Sequence, residues 1–400
     1  MPNNFFFRDS CRICLGKDIQ KVIVLTPTPP GNSFINFEQL GETEEKYPLD
    51  IYFCNSCFHI QLGHVVKPEI LYQNNYSYVS STSSVFVSHL EDYSKKIVKS
   101  LNLEKGSLVI DIGSNDGTCL KFFKEQGMKV LGVDPAVDIA KNATDNGIET
   151  IGDFFSLDLA TSIREKYGSA DFVTSHNALA HIDDLDEVFS GVKTVLKKDG
   201  VFVMEVGYFL DVYQNTWFDT IYHEHTDYHT LGPLQILFER FDMEVFKVER
   251  IKPQGGSIRV YAQNISGSNK KDETVEALIK LEEQIGLYNP KTFIDFENHI
   301  NRIRDELFII IHNLKKDGKT IAAYGAPTKA TTLCHHFQLG SDKIDFIVDD
   351  NPLKQGLFSP GKNIEVCNRD KISVSNPDYL LILAWNFSDS IMQNNQDFKK

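Results

Sequence analysis

The chain has 400 residues, of which 42% are hydrophobic and 24% charged. That is too long for one ordinary core, so two or three domains are expected. The formal net charge of −14 argues against a nucleic-acid or anionic-membrane partner, since phosphates demand a basic surface; a local basic pocket for a small phosphate ligand stays open.

The start, MPNNFFFRDSCRIC, has neither the apolar core nor the small-residue cleavage site of a signal peptide. FIIIHNL, interrupted by His312 and Asn313, is too short to span a bilayer. The expectation is a cytoplasmic protein, where paired thiols mean metal or redox chemistry rather than disulfides. Cys11 and Cys14 form one C-x-x-C, and Cys54 and Cys57 a second. Two such knuckles bring four thiolates to one tetrahedral zinc. A redox pair would need one C-x-x-C at a helix start after a strand, and neither context is present. Four cysteines close the coordination shell, so the zinc is expected to be structural. Cys119, Cys334 and Cys367 are scattered and read as small core residues. The zinc module is taken as 1–75. Tyr76 and Tyr78, which follow in YSYVSSTSS, read by themselves as half-buried aromatics.

From about 85 to 250, helical patterns alternate with the apolar runs SLVIDIG, KVLGVD, DFVTSHN and GVFVMEV, which reads as a parallel α/β sheet. LVIDIGSNDGTCLKFFKEQG is a strand, a glycine-rich turn and a helix. A dinucleotide fold would want G-x-G-x-x-G, yet Asn115 stands where the second glycine would admit a pyrophosphate. Asp111 at the strand end repels a pyrophosphate but suits the ammonium of a methionine moiety. Asp134 ends the next strand and can accept from two ribose hydroxyls. Gly152, Asp153 and Phe154 follow the third strand, where an adenine would lie. Asp111, Gly113, Asn115 and Gly117 with these later acids point to S-adenosylmethionine rather than a dinucleotide.

At 220–230 the chain reads TIYHEHTDYHT. On a strand, His223 and His225 would share one face, with Tyr222 and Glu224 on the other. The spacing is H-E-H, not the H-E-x-x-H of a zinc-protease helix, and matches no metal pattern. A structural polar turn or a catalytic segment remains. Catalysis is favoured because the stretch follows VFVMEVG, the strand ending beside the expected donor. Phe296, Ile300, Ile303, Leu307, Ile310 and Leu314 then form one stripe of a long helix, which Lys-Lys-Asp-Gly at 315–318 stops. A second α/β set follows in KTIAAYGA, KIDFIVDD and DYLLILAW. YGAPTKA lacks the G-x-G-x-x-G pattern, so no intact second cofactor site is expected there. Tyr324 is placed to stack on a base, Lys329 near a helix start suits a diphosphate, and Asp350 and Asn351 lie where sugar hydroxyls would be read. The plainer reading is that this domain only packs against the first.

Taken together, the two knuckles, YSYVSSTSS, the glycine loop, HNALAHI, YHEH, GGSIRVY, YGAPTKA and DDNPLKQG make the chain resemble the S-adenosylmethionine-dependent sugar C-methyltransferases over nearly its whole length. The resemblance implies three units: the zinc module, a Rossmann-like methyltransferase domain at 76–265, and a helical connector with a vestigial Rossmann-like domain at 266–400. It implies a nucleotide-diphosphate keto-deoxysugar as substrate, held between the last two units, and a monomer. It also implies His225 as the base, with Tyr222 and Glu224 beside it and Tyr76, His181 and Tyr78 completing the pocket, while His176 and Asn177 of HNALAHI join the donor site. Methylating carbon needs a carbanion equivalent, and a histidine has a basic pKa near neutrality without tuning. The rivals are an O- or N-methyltransferase on a similar sugar, which needs no such base, and a zinc-stabilised binding protein with a dead donor site.

Overall fold

The structure is a computed structural model, and it describes residues 4–72, 79–252 and 255–399. Tyr76 and Tyr78 lie outside the described residues. The central sheet has seven strands in the order Met243–Ile251, Ser257–Asn264, Leu196–Gly207, Ala170–His176, Leu108–Ile112, Lys129–Val133, Thr150–Ile151. Only Ser257–Asn264 runs antiparallel to its neighbours. The chain winds outward from Leu108–Ile112 to Thr150–Ile151, then crosses back to Ala170–His176. That reversal opens a crevice at the carboxyl ends of the two middle strands, the usual ligand position in such sheets. All five residues of Leu108–Ile112 are buried, which is why this strand reads as a continuous apolar run broken only by Asp111.

The amino-terminal unit is built on a four-stranded antiparallel sheet, and one of its strands comes from elsewhere. Asp227–Tyr228 pairs with Ile60–Leu62, which is followed in the sheet by Tyr47–Cys54 and Ile19–Thr28. The histidine-rich stretch is therefore tied into the cysteine-bearing unit. The carboxy-terminal unit has a parallel sheet in the order Val366–Cys367, Ile347–Val348, Ile321–Tyr324, Tyr379–Ile382.

The helix Pro290–Lys316 links these parts. Asn289 caps it, Pro290 occupies its first turn, and Gly318 (φ 72°) lies just past its end. Phe296 and Ile300 are buried as the stripe requires, but Ile310 is 55% exposed and Ile311 is buried instead. A seven-residue repeat drifts about 20° per heptad on a straight helix, so the buried face moves off the expected line. Its Phe293 packs on Phe53 of the amino-terminal sheet and on Phe209 of the central unit. One continuous buried cluster joins Cys11, Phe202 and Ile321, so the three units share a core. Among the described residues no helix is long and apolar enough to cross a membrane.

Candidate active site and its zinc support

The four Sγ atoms of Cys11, Cys14, Cys54 and Cys57 lie within 4.8 Å of one another. Cys11–Cys57 is 3.4 Å and Cys14–Cys54 is 3.5 Å. Tetrahedral zinc with bonds of about 2.3 Å needs sulfur–sulfur edges of about 3.8 Å, so the set fits after a slight expansion. The two knuckles have one geometry. In each, the residue after the second cysteine (Leu15, φ 62°; Phe58, φ 66°) donates its N–H to the carbonyl of the first. This left-handed turn folds both thiols of a pair to one side.

At the crevice, Gly113 (φ 75°) and Gly117 (φ 77°) are required by conformation and by space. A Cβ at Gly113 would come 2.5 Å from Ala178, and one at Gly117 2.8 Å from Ile148. Asn115, at φ 52°, takes the left-handed conformation that Asn tolerates. Its N–H donates to Asp134 Oδ2 at 2.8 Å, Ala136 N–H to Asp134 Oδ1 at 2.9 Å, and its own Oδ1 accepts from Ser80 N–H. Asp111 is 2% exposed, and its Oδ1 has no hydrogen-bond partner among the described residues. Burial pushes its carboxyl up to about 7, while His176 draws it down. A buried carboxylate oxygen lacking a donor is suited to an ammonium. Phe154 holds its ring 61% exposed after the third strand, next to Asp153, whose Oδ1 accepts the Phe154 N–H.

His176 and Asn177 sit at this crevice, but the His176 ring is engaged within the protein. Nδ1 lies 3.1 Å from Glu205 Oε2, and Nε2 lies 3.1 Å from Thr174 Oγ1. His89 and Arg259 bond the same Glu205. Burial opposes ionisation, yet His176, His89 and Arg259 hold the Glu205 carboxyl well below the usual range. Sequence reading passed over this cluster, since its members come from four separate segments.

TIYHEHTDYHT begins as a turn rather than a strand; Asp227–Tyr228 pairs with Ile60–Leu62, and His229 makes a single parallel bridge to Tyr208. The side chains therefore diverge instead of alternating. His225 Nδ1 lies 2.9 Å from the Thr220 carbonyl, which can only accept, so Nδ1 carries the proton. Nε2 is then the acceptor for the Tyr222 hydroxyl at 2.9 Å. His181 faces His225 edge-on, with ring centroids 4.9 Å apart. Burial pushes His225 down to about 4 against the Thr220 contact, and pushes His181 down to about 3 with His225 adding to it. The near-neutral pKa expected from an unperturbed histidine is thus corrected: desolvation keeps both rings neutral. His223 points away and donates from Nε2 to the Tyr47 carbonyl at 3.1 Å. Glu224 is buried against Asn32 Nδ2, and burial raises its carboxyl to about 7 against Asn32 and Lys354.

The carboxy-terminal residues are arranged differently from expectation. Tyr324 is only 5% exposed and donates its hydroxyl to Asp350, so its ring presents no open face for stacking. Strand burial in the small sheet is the cause. Lys329 Nζ bonds Asn386 Oδ1 at 2.9 Å and sits 3.3 Å from the centre of the Trp385 ring. Asn351 caps the turn after the strand, accepting from Leu353 N–H.

Three domain families match in succession: a zinc binding domain over residues 11–72, a methyltransferase domain over 84–248, and a C-methyltransferase C-terminal domain over 252–400. The C-methyltransferase NovU of Streptomyces niveus is 35% identical over 390 residues, covering 98% of this chain and 93% of that protein. The chain is a member of the C-methyltransferase family. Among solved structures, the magnesium protoporphyrin IX methyltransferase of Synechocystis PCC 6803 with bound SAH is 16% identical, covering 44% of this chain and 83% of that chain with a TM-score of 0.35. An S-adenosylmethionine-dependent methyltransferase of Clostridium acetobutylicum is 13% identical, covering 44% and 92% with a TM-score of 0.36. This C-methyltransferase uses S-adenosylmethionine as donor, and its four-cysteine cluster is its zinc site. Such a closed thiolate shell supports folding rather than chemistry.

Proposed function

We propose that this C-methyltransferase acts on a nucleotide-diphosphate 4-keto-deoxysugar, methylating C3 through an enolate, as a cytoplasmic monomer organised as 1–75, 76–265 and 266–400. The observation that carries the reading is the half-buried Tyr222–His225 pair, in which a neutral imidazole accepts the Tyr222 hydroxyl at Nε2 and its ring lies edge-on to His181. S-adenosylmethionine, when bound, supplies a methyl group electrophilic enough for an enolate carbon. Asp111 takes the donor's ammonium and Asp134 its ribose hydroxyls, with Gly113, Asn115 and Gly117 shaping the loop. Asp153, Phe154, His176 and Asn177 border the same site.

His225 Nε2 removes the C3 proton, the C3–H electrons form the C3=C4 bond, and the carbonyl pair moves onto O4. The imidazolium and the enolate arise together, so each offsets the charge that burial penalises in the other. Tyr222, released from Nε2 by the incoming C–H, donates to O4; His181, Tyr76 and Glu224 are assigned to the same catalytic set. The low basicity of His225 in the ligand-free protein keeps it unprotonated and ready. Tyr78, Lys329, Asp350 and Asn351 are assigned to the nucleotide sugar, with Tyr324 placing Asp350 through its hydroxyl.

The test is solvent exchange. With S-adenosylhomocysteine in the donor site, a panel of nucleotide 4-keto sugars in D2O should gain one deuterium at C3, read by mass spectrometry. His225→Ala should lose about 10²–10⁴-fold in turnover while still binding donor. Full activity in that variant would remove His225 as base and favour O- or N-methylation, or His181 in its place.

A further inference from the structure

We infer that Trp385 is a positioning residue for His225, so that the carboxy-terminal unit sets which imidazole nitrogen is the acceptor. The inference rests on the reading of His225 as base. Its geometric basis is the Thr220 carbonyl, which holds the proton on His225 Nδ1 and leaves Nε2 as acceptor. Were that carbonyl to move, the proton would be free to shift to Nε2, and Nε2 would no longer be the base.

Thr220 stands between two residues that the carboxy-terminal unit grips. On one side, Trp385 Nε1–H donates to Asp219 Oδ2 at 2.7 Å. On the other, Thr332 Oγ1–H donates to the Ile221 carbonyl at 2.8 Å. Asp219 is 1% exposed, so its carboxylate has no water to turn to if the indole is removed. Hydrogen bonds to a buried charged group are roughly twice as strong as neutral ones. Trp385 itself has little freedom. It stacks on Trp217 at 4.5 Å and 15°, carries the Lys329 ammonium 3.3 Å from its ring centre, and is pressed by Gly255, where a Cβ would lie 3.3 Å away. Burial raises the Asp219 carboxyl to about 6 against Lys329 and Trp385. These contacts form a latch across the junction, closed on the turn that orients the imidazole.

A packing role alone would lower stability and leave the His225 tautomer untouched, so the tautomer is the deciding readout. Long-range ¹H–¹⁵N spectra of the ligand-free full chain, with His225 assigned from the signals missing in His225→Gln, should show His225 as a single Nδ1–H form. Trp385→Phe keeps a ring but removes the N–H. It should mix the two tautomers and reduce turnover on the keto-sugar panel roughly tenfold or more, with donor KM unchanged. Asp219→Asn keeps an acceptor for the indole and should stay near the parent. If Trp385→Phe fails to fold, Thr332→Val frees the Ile221 carbonyl, loosens Thr220 from its other side and should shift the tautomer in the same direction. An unchanged His225 spectrum in whichever variant folds overturns the latch. Full turnover in His225→Gln would instead overturn the base reading, and with it the catalytic meaning of the latch.

Discussion

The glycine loop and the turn that carries His225 both bury charged and polar groups beside the same sheet, yet their supports lie at different distances along the chain. Asn115 and Asp134 are 19 residues apart. In the turn, His223 leans on Tyr47 across 176 residues, Glu224 on Asn32 across 192, and Asp219 on Trp385 across 166. The loop is a local device set by strand, left-handed residues and helix. The turn is assembled only when all three units meet. Damage to the loop should therefore stay with donor affinity, whereas damage far from the turn should reach turnover.

The zinc site offers the largest test of that contrast. Zinc binding in a small module is itself folding free energy, on the order of 10–16 kcal/mol in isolated fingers. The turn hangs on this module through Tyr47 and through Asp227–Tyr228, paired with Ile60–Leu62. Cys54→Ser should lose zinc, measured by metal analysis against an expected single ion per chain, together with solubility and turnover. A variant that keeps stoichiometric zinc would strike Cys54 from the ligand set. One that loses zinc yet works normally would show that the turn does not need its amino-terminal support.

Next comes the loop. Asp134→Ala removes the acceptor proposed for the ribose, a charge-assisted contact worth about 1.5–3 kcal/mol. Calorimetry should show roughly ten- to a hundredfold weaker donor binding. Turnover at saturating donor should change far less. Unchanged affinity would dispose of the assignment.

The same contrast explains what could be read from the chain alone. Asp111, Gly113, Gly117 and Asp134 were legible because a strand fixes where its last residue points, and the loop's geometry follows within a few positions. The cysteines were legible for a similar reason, each knuckle being a five-residue turn. His225 was singled out only by chemistry and resemblance, and the strand geometry expected for it failed because Thr226 N–H bonds the Ala180 carbonyl while His223 turns to Tyr47. Nothing near Trp385, Asn32 or Thr332 in sequence signals a partner more than a hundred residues away. Tyr324 misled because a strand-end aromatic reads alike whether it faces a ligand or an aspartate.

A smaller effect separates the groups of the turn by pH. With its folded pKa lowered to about 4 by burial, His225 stays neutral far below the ordinary histidine value of about 6.5. An acidic limb of kcat/KM caused by protonating this base should therefore fall below about pH 5.5. A limb near pH 7 would point to Glu224 or Asp111, both raised to about 7 by burial. In His225→Gln any low-pH limb due to the imidazole should vanish.

The smallest expected change is at Asn115, and it probes whether the loop is local in the sense claimed. Asn115→Gly keeps a residue that adopts φ 52° without strain and keeps the N–H that holds Asp134. It loses the side-chain acceptor for Ser80 N–H, a net cost of about 0.5–1.5 kcal/mol. Thermal denaturation should drop by about 2–4 °C per kcal/mol for a unit of this size, with donor affinity within about threefold of the parent. Asn115→Ala must hold a left-handed conformation at a further cost of about 1–2 kcal/mol, so it should be the less stable of the two. If Asn115→Gly instead weakens donor binding as much as Asp134→Ala does, the loop depends on the segment around Ser80 as well as on its own backbone. The donor site would then be assembled over distance in the same manner as the turn.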